Sequence, residues 1–300
     1  MAMIGGNDGR RSGGGIRWWV LLLFAGYAAF SWFGSAKTDP YTGDKAHYGA
    51  TVDEETQLGL QAYREVLSQE RPVDASDARA RSVDAVARRL VARASEVEAD
   101  LAAEHKEASP GLAKTFDWSV AVLDSAQANA FCLPGGKMAV YTGLLPVTRN
   151  DDAMAVVLGH EIAHALLRHG SQRMAQQKLV QAGQLAAGVA VGNMDRQQQQ
   201  VVMAVFGAGA QYGLLLPYDR KHETQADEVG LMLAAAACYD PREAIPLWQR
   251  MSELNGGQRP PEFASTHPDP ANRIQHLQSL MPRAMGYYAK YCGGQSPATR

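Results

Sequence analysis

Two histidines four residues apart, in the sequence HEIAH at residues 160–164, are the first side chains whose types and spacing indicate chemistry. On a helix, residues i and i+4 lie on the same face, so His160 and His164 can each point a ring nitrogen at one metal ion. Glu161 is rotated by about 100° around that helix, so its carboxylate misses the ion but can reach a water molecule beside it. The pattern predicts one zinc ion per chain, with Glu161 as the general base that takes a proton from water.

A catalytic zinc site has three protein ligands and one open position, so a third ligand must come from elsewhere in the chain. Glu223 lies in a charged, strongly helical segment downstream, and it would complete a set of two histidines and one glutamate. Asp227 is one turn further along the same helix face, so it could accept a hydrogen bond from a ligand histidine. Spacing alone leaves His222 and His267 as rival ligands, and an ordinary solvated helix face is the alternative for the two acidic residues.

The residues around the motif indicate the element that must hold it. Residues 153–158 are apolar helix formers, so a helix is predicted over residues 152–168. Asp151 or Asp152 would cap its N-terminal end and Gly170 would end it.

The rest of the chain predicts a small sheet between helices. Seven apolar residues from Val83 to Leu101 recur at spacings of mostly three or four, which indicates one face of a long amphipathic helix. Strands are predicted at residues 116–124, 129–133 and 137–142, with Gly135-Gly136 as the turn of a hairpin. Further helices are predicted at residues 53–69, 171–191, 198–214, 221–237, 241–254 and 270–281. This order makes the fold class α+β, mostly α.

Composition excludes several classes of protein. The 300 residues are 46% hydrophobic and 20% charged, which is typical of a globular chain and excludes a wholly disordered one. A net charge of −2 gives no basic excess for a nucleic-acid partner, and a mean hydropathy of −0.25 excludes a polytopic membrane protein. Three cysteines are too few for a disulfide-built fold. Cys132 could pair with Cys238 or Cys292, and a buried free thiol is the alternative.

The N-terminal residues 1–36 are predicted to be a disordered start followed by a membrane anchor or a signal segment. Residues 18–33 carry no charge, and their length lies between the roughly 17–25 residues of a spanning helix and the roughly 7–15 of a signal-peptide core. Aromatic residues at both ends favour an uncleaved anchor, small residues at Gly34 and Ala36 fit a cleavage site, and a buried core helix is the third alternative.

The charge flanking this segment predicts its orientation. Basic residues before it are expected to stay on the cytoplasmic side, so everything after residue 36 would be exported. The arginines concerned are Arg10, Arg11 and Arg17. Residues 37–52 are rich in Gly, Asp, Tyr and Thr and are predicted to be a linker. Residues 53–300 would then form the catalytic domain.

Four stretches of the sequence resemble the HtpX-like and CAAX-prenyl-protease-like zinc endopeptidases. They are NAFCLPGGKMAVYTGLL at residues 129–145, VLGHEIAH at 157–164, ETQAD at 223–227 and STHPDPANR at 265–273. The likeness extends over about residues 50–280 and is strongest to the periplasmic, BepA-like branch. The chain also resembles the related mitochondrial inner-membrane quality-control protease. No tetratricopeptide repeats follow residue 285, so the chaperone activity of the BepA-like branch is not expected.

This resemblance implies a zincin-type metallopeptidase domain and assigns several residues. It implies that Glu223 is the third zinc ligand and that Asp227 supports a ligand histidine. It places His267 and Arg273 near the active site, with His267 donating a hydrogen bond to the oxyanion of the reaction.

A candidate substrate-binding strand follows the hairpin turn. An extended peptide could pair with the edge of this strand, and an ordinary core hairpin is the alternative. The resemblance favours substrate binding. The residues concerned are Lys137, Met138, Ala139, Val140 and Tyr141.

The sequence therefore predicts a zinc endopeptidase that is anchored by its N-terminal segment on the periplasmic side of the inner membrane. Its substrates would be misfolded or misassembled envelope proteins. Release into the periplasm after signal cleavage is the alternative location. A processing protease with one substrate and a zinc-binding scaffold without activity are the alternative functions, and the scaffold would have no use for Glu161.

Overall fold

The computed structural model describes residues 16–210, 216–255, 267 and 273–293. The chain divides into two compact units, and the boundary of the first falls at Ala36, with Gln176–Leu216 joining the N-terminal segment. The second unit contains Lys37–Ala175 and the residues from Pro217 onward. A continuous domain from residue 53 to 300 was expected, whereas the structure separates residues 176–216 from it. The predicted disorder of residues 1–15 lies outside the described part of the chain.

The first unit is built from helices with exposed apolar surfaces. Helix α1 (Trp18–Ser35) has no buried residue, and among the described residues it is the one helix long and apolar enough to cross a membrane. The unit also contains the C-terminal part of α7 (His169–Val191) and α8 (Arg196–Ala210). The backbone N–H of Arg17 donates to the carbonyl of Ala190 over 2.9 Å, which joins the start of α1 to α7.

The segment predicted to be a linker is instead a packed part of the second unit. Strands β1 (Lys37–Thr38) and β2 (Lys45–Ala46) pair antiparallel. Between them, Tyr41 is 1% exposed, and its hydroxyl donates to Glu98 over 2.5 Å. The linker prediction fails because this segment folds into two paired strands with a turn between them, and its residues Tyr41, Ala46 and His47 are buried.

Two long helices follow and form one side of the core. Helix α2 (Val52–Gln69) begins with a capping box in which Thr51 and Glu54 exchange hydrogen bonds. Helix α3 (Ala78–Glu104) buries the apolar stripe that its sequence predicts. The stripe packs against the sheet and against the motif helix, so it forms the floor beneath both.

The sheet has three strands, β3 (Ser119–Leu123), β4 (Ala130–Leu133) and β5 (Lys137–Tyr141), in the order β3-β5-β4. β3 runs parallel to β5, and β4 runs antiparallel to it. Gly135 and Gly136 connect β4 to β5 with φ angles of 84° and 87°, a conformation that favours glycine. All five residues of β5 are buried because it is the central strand.

The motif helix is α6 (Asp151–Leu166), the most buried helix of the second unit. The remaining described helices of this unit lie before and after it in the chain. They are α4 (Leu112–Thr115), α5 (Leu145–Thr148), the start of α7, α9 (Leu216–Ala236), α10 (Ala244–Asn255) and α11 (Arg273–Tyr291). α11 extends ten residues beyond its predicted end at residue 281 and contains the exposed Pro282. It continues because Ala284, Tyr287 and Tyr288 beyond the proline are buried in the core.

One disulfide joins Cys238, after α9, to Cys292, after α11. Cys132 on β4 is free. The sequence left open whether Cys132 pairs with Cys238 or Cys292 or is a free thiol, and the structure has the free thiol.

Candidate metal centre

Helix α6 carries the HEIAH sequence through the middle of the second unit. Asn150 caps its N-terminal end, because its side-chain oxygen accepts a hydrogen bond from the backbone N–H of Ala153 over 2.8 Å. The cap was expected at Asp151 or Asp152, so it lies one residue before the first of these. Nearly every side chain of α6 is buried, which is typical of a central helix. His160 and Glu161 are 4% and 3% exposed, so the site chemistry takes place inside the protein.

The backbones of α6 and α9 touch at a pair of glycines. A Cβ atom on Gly159 would lie 2.6 Å from the carbonyl oxygen of Gly230, and one on Gly230 would lie 2.6 Å from the backbone nitrogen of His160. Glu223 is seven residues, or about two helical turns, before Gly230, so it lies on the face of α9 that meets α6. The crossing thus brings Glu223 to the two histidines.

Replacing Gly230 by alanine is expected to push α9 away from α6. Overpacking of this kind costs about 1–3 kcal/mol, and the shift of Glu223 should also weaken metal binding. Thermal unfolding and a chelator titration would measure the two effects. Gly286→Ala is the matched control, because this glycine is inside α11 with open space around it and the change should stabilise by about 0.5–1 kcal/mol. Equal behaviour of the two variants would contradict the role of the crossing.

The four potential ligand atoms of His160, His164, Glu223 and His267 all lie within 4.8 Å of one another. The Nε2 atoms of His160 and His164 are 3.0 Å apart, and carboxylate oxygens of Glu223 lie 3.3 Å from the first and 3.4 Å from the second. Tetrahedral zinc ligands at about 2.0–2.1 Å from the ion are roughly 3.3 Å from each other. These donor types and separations therefore fit a zinc ion.

The charges around the two histidines also suit a cation. Burial lowers the pKa of His164 well below its usual value, so the ring is neutral, which is the form that binds a metal. Burial also acts to lower the pKa of His160, but Asp227 and Glu223 outweigh it and raise this pKa to about 9. The two carboxylates thus favour positive charge at the point where the ring nitrogens converge.

Asp227 and Arg273 form a buried support for the site. Oδ1 of Asp227 lies 3.0 Å from Nδ1 of His160, which leaves the Nε2 atom of that ring facing the other potential ligands. Arg273 donates to Asp227 over 2.6 Å and lies 3.4 Å from Glu223. The pKa of Asp227 is low because Arg273 and His160 together outweigh the burial that raises it. Trp248, which the sequence did not single out, lies under the guanidinium at 3.5 Å from its ring centroid.

Glu161 lies beside the potential ligands without belonging to them. Its Oε1 atom is buried and accepts no hydrogen bond from the described residues, and it lies 3.4 Å from Nε2 of His267. Burial raises the pKa of Glu161, which suits a group that accepts a proton and then returns it. The structure therefore brings His267 next to both Glu161 and Glu223.

The rival ligand His222 and the expected helix end are placed differently. His222 stacks on His169 at 4.1 Å and hydrogen-bonds Gln172, and it is outside the group of four potential ligands. α6 ends at Leu166 rather than at Gly170, because the chain turns at Arg168, whose φ is 55°. This early turn starts α7 at His169 and directs its ring back towards His164, a neighbour that the sequence pattern did not indicate.

The predicted substrate strand cannot accept a peptide along its edge. Residues 137–141 are β5, and both of its edges are already paired, with β3 and with β4. Lys137 also points into a local contact, donating to the carbonyl and the carboxylate of Asp117 over 2.6 and 2.7 Å. The edge strand beside α6 is β4, and the backbone N–H of its Cys132 donates to Glu161.

Comparison with known proteins relates the chain to metallopeptidases. The profile of peptidase family M48 matches residues 103–281. The mitochondrial metalloendopeptidase OMA1 of Schizosaccharomyces pombe is 31% identical over 272 residues, which cover 90% of this chain and 73% of that protein. The mitochondrial metalloendopeptidase OMA1 of Homo sapiens is 36% identical over 181 residues, 59% of this chain and 34% of that protein. The β-barrel assembly-enhancing protease of Escherichia coli is 24% identical over 261 residues, 85% of this chain and 49% of that protein.

These similarities correct the predicted location. The chain covers less than two thirds of the human and E. coli proteins, and it matches the bacterial protease at lower identity than the two OMA1 proteins. The expectation of a periplasmic protein is wrong, because the more similar relatives are mitochondrial by name. The same finding does not support the BepA-like branch as the branch of this chain.

Proposed function

The chain belongs to peptidase family M48 and is a metalloendopeptidase, and we propose that His160, His164 and Glu223 bind its catalytic zinc ion. The observation that carries this proposal is the convergence of their donor atoms, at separations of 3.0, 3.3 and 3.4 Å, inside a buried site. Two imidazole nitrogens and one carboxylate are a ligand set that zinc peptidases use. Asp227 and Arg273 would hold His160 and Glu223 in position from behind.

Peptide hydrolysis follows from the residues around this site. When bound, zinc supplies a Lewis acid that polarises the peptide carbonyl and lowers the pKa of water. Glu161 takes the proton of the attacking water on Oε1, which accepts no hydrogen bond from the described residues, and passes it to the leaving amine. His267, beside Glu161, donates a hydrogen bond to the oxyanion. The raised pKa of Glu161 allows both proton transfers by one carboxylate.

The substrate would pair with β4, in place of the β5 strand that the sequence suggested. β4 is an edge strand, and its backbone at Cys132 lies against Glu161. An extended peptide added along this edge gains main-chain hydrogen bonds and carries its scissile bond past the general base. This mode of binding depends on the backbone of the substrate rather than on its side chains, so it suits unfolded substrates of varied sequence.

We further propose that the enzyme removes misfolded or misassembled proteins at a membrane. α1 is apolar and unburied, and four large apolar side chains of α7 and α8 in the same unit are exposed. These side chains are Leu185, Val189, Val201 and Val205. A unit with this surface is suited to contact with lipid. The E. coli relative is named for assembly of β-barrel proteins, which supports a role in protein quality control.

Sequencing of protein N-termini in cells that produce either the wild-type chain or its Glu161→Gln variant tests this role. We expect many cleavage products of membrane proteins that depend on Glu161 and increase under unfolding stress. The enzyme should also sediment with membranes. A single cleaved protein, independent of stress, would instead indicate a dedicated processing protease.

The proposed roles of Glu223 and Asp227 predict different losses of zinc affinity. Glu223→Gln removes a charged ligand of the ion, so its zinc affinity should fall far more than that of Asp227→Asn. Asp227→Asn only weakens the support of His160, a change that typically costs about 10–100-fold in affinity or activity. A competitive chelator titration of both variants and the wild type measures the difference.

Excess zinc provides the control for these two variants. It should partly restore the activity of Asp227→Asn, because that variant keeps all three ligands. If Asp227→Asn lost its metal while Glu223→Gln kept it, the two roles would be reversed.

A further inference from the structure

His164 has a buried polar neighbour on the side of its ring opposite the potential metal site. Its Nδ1 atom lies 2.8 Å from Nδ1 of His169, while its Nε2 atom points at His160 and Glu223. His169 is 4% exposed, so this contact is shielded from water. At this distance, one of the two Nδ1 atoms carries a proton and the other accepts it.

A chain of hydrogen bonds continues from His169 to the protein surface. Nε2 of His169 lies 3.2 Å from the side-chain oxygen of Gln225. The amide nitrogen of Gln225 donates to the carboxylate of Asp44 over 2.7 Å, and it lies 3.3 Å from the hydroxyl of Thr42. Asp44 lies between β1 and β2, in the segment that its composition marks as a linker.

The chemistry of the groups at the two ends fixes the donor and the acceptor in every hydrogen bond of this series. A carboxylate only accepts, so the NH₂ group of Gln225 faces Asp44 and its oxygen faces His169. That oxygen also only accepts, so the proton of His169 is on Nε2, and its Nδ1 is an acceptor. His164 must then donate from Nδ1, which leaves the lone pair of its Nε2 free to bind a metal.

We infer that His169 is a positioning residue for His164, and that Gln225 and Asp44 fix its orientation. We call the hydrogen-bonded series of His164, His169, Gln225 and Asp44 the relay. It selects the metal-binding tautomer of His164 and holds the plane of that ring towards the ion. The inference rests on the proposed function, because it takes His164 as a zinc ligand.

Each of the two proposed ligand histidines thus has a hydrogen-bond partner at its Nδ1 atom, but the two partners differ in chemistry. His160 has the carboxylate of Asp227 at its Nδ1 atom, 3.0 Å away, whereas His164 has a neutral imidazole at 2.8 Å. A carboxylate support adds negative charge beside the ion, but an imidazole support adds none. Orientation of His164 is therefore achieved without adding a further carboxylate to the buried site, which already holds Glu161, Glu223 and Asp227.

The test compares zinc affinity in three variants of the full-length protein by competitive chelator titration. His169→Phe keeps the ring volume but removes the acceptor, and its zinc affinity should fall about 10–100-fold. His169→Asn offers a side-chain oxygen near the position of Nδ1, so it should recover most of that loss. His222→Phe is the matched control, because His222 stacks on His169 and bonds Gln172 but is outside the hydrogen-bonded series that runs from His164 to Asp44. Its affinity should stay within about threefold of the wild type.

A spectroscopic readout tests the direction of the relay independently of activity. In zinc-loaded protein labelled with ¹⁵N-histidine, Nδ1 of His164 should carry a proton whose resonance shows coupling through the hydrogen bond to a second ring nitrogen. The coupling should vanish in His169→Phe and persist in His222→Phe.

The outcomes separate the relay from the proposed function. Equal zinc affinity of His169→Phe and wild type, an equal loss in His222→Phe, or an unprotonated Nδ1 of His164 would each overturn the relay and leave the zinc site standing. Wild-type protein that binds no zinc would overturn the proposed function, and the relay with it.

Discussion

Replacement of Glu161 by glutamine is expected to abolish peptide hydrolysis while zinc stays bound. Glutamine has nearly the same shape as glutamate, but it cannot take the proton from water. Loss of a general base typically costs about 10²–10⁴-fold in rate, so kcat on an unfolded substrate such as casein should fall by that factor. Zinc content should stay near one ion per chain, because Glu161 is not among the proposed ligands.

A matched variant controls for the substitution itself. Glu65→Gln makes the same change at an exposed position on α2 and should keep full activity. Activity of Glu161→Gln within about tenfold of wild type would mean that another group activates the water. Loss of zinc from Glu161→Gln would contradict its placement beside the ligands rather than among them.

Replacement of His160 or His164 by alanine is expected to remove both metal and activity. Each change leaves two of the three proposed ligands, and a two-ligand site in competition with water holds zinc far more weakly. Zinc content, measured by elemental analysis after dialysis, should fall from about one ion per chain to near zero. Hydrolysis should fall at least as far as in Glu161→Gln, because the Lewis acid and the activated water are lost together.

His105→Ala distinguishes this effect from general loss of a histidine. His105 is half-buried at the end of α3 and is outside the group of four potential ligands, so its removal should leave zinc content unchanged. Full zinc occupancy of His160→Ala or His164→Ala would contradict the proposed site. Circular dichroism of the metal-free variants would show whether the helices remain folded.

The local elements follow from the sequence because their signals are local. The apolar stripe between Val83 and Leu101 recurs with the helical period, and the helix it predicts is buried along that stripe. The Gly135-Gly136 turn separates two strands as predicted, since positive φ angles there favour glycine. The fold class, α+β and mostly α, is confirmed for the same reason.

The predicted linker, helix end and substrate strand are wrong where contacts between residues far apart in sequence outweigh local composition. The segment of residues 37–52 has the composition of a linker, but Tyr41 is buried against Glu98, which is 57 residues away. Pro282 disfavours a continuing helix, yet burial of Tyr287 and Tyr288 extends α11 past it. β5 was predicted to offer an edge to an extended substrate, but its neighbours β3 and β4 pair with both edges.

The sequence by itself determined the chemistry of the site, because the spacing of HEIAH fixes which groups can share one helix face. It could name Glu223 and Asp227 as candidates only, since two residues four positions apart lie on the same helix face and spacing does not distinguish them. The tertiary structure decided between them in geometry: the Gly159–Gly230 crossing brings Glu223 within 3.4 Å of both histidines and sets Asp227 behind His160. It also turned the chain at Arg168, so that His169 supports His164. Contacts between residues far apart in sequence depend on how helices pack, and helix packing leaves no periodic signal in the chain.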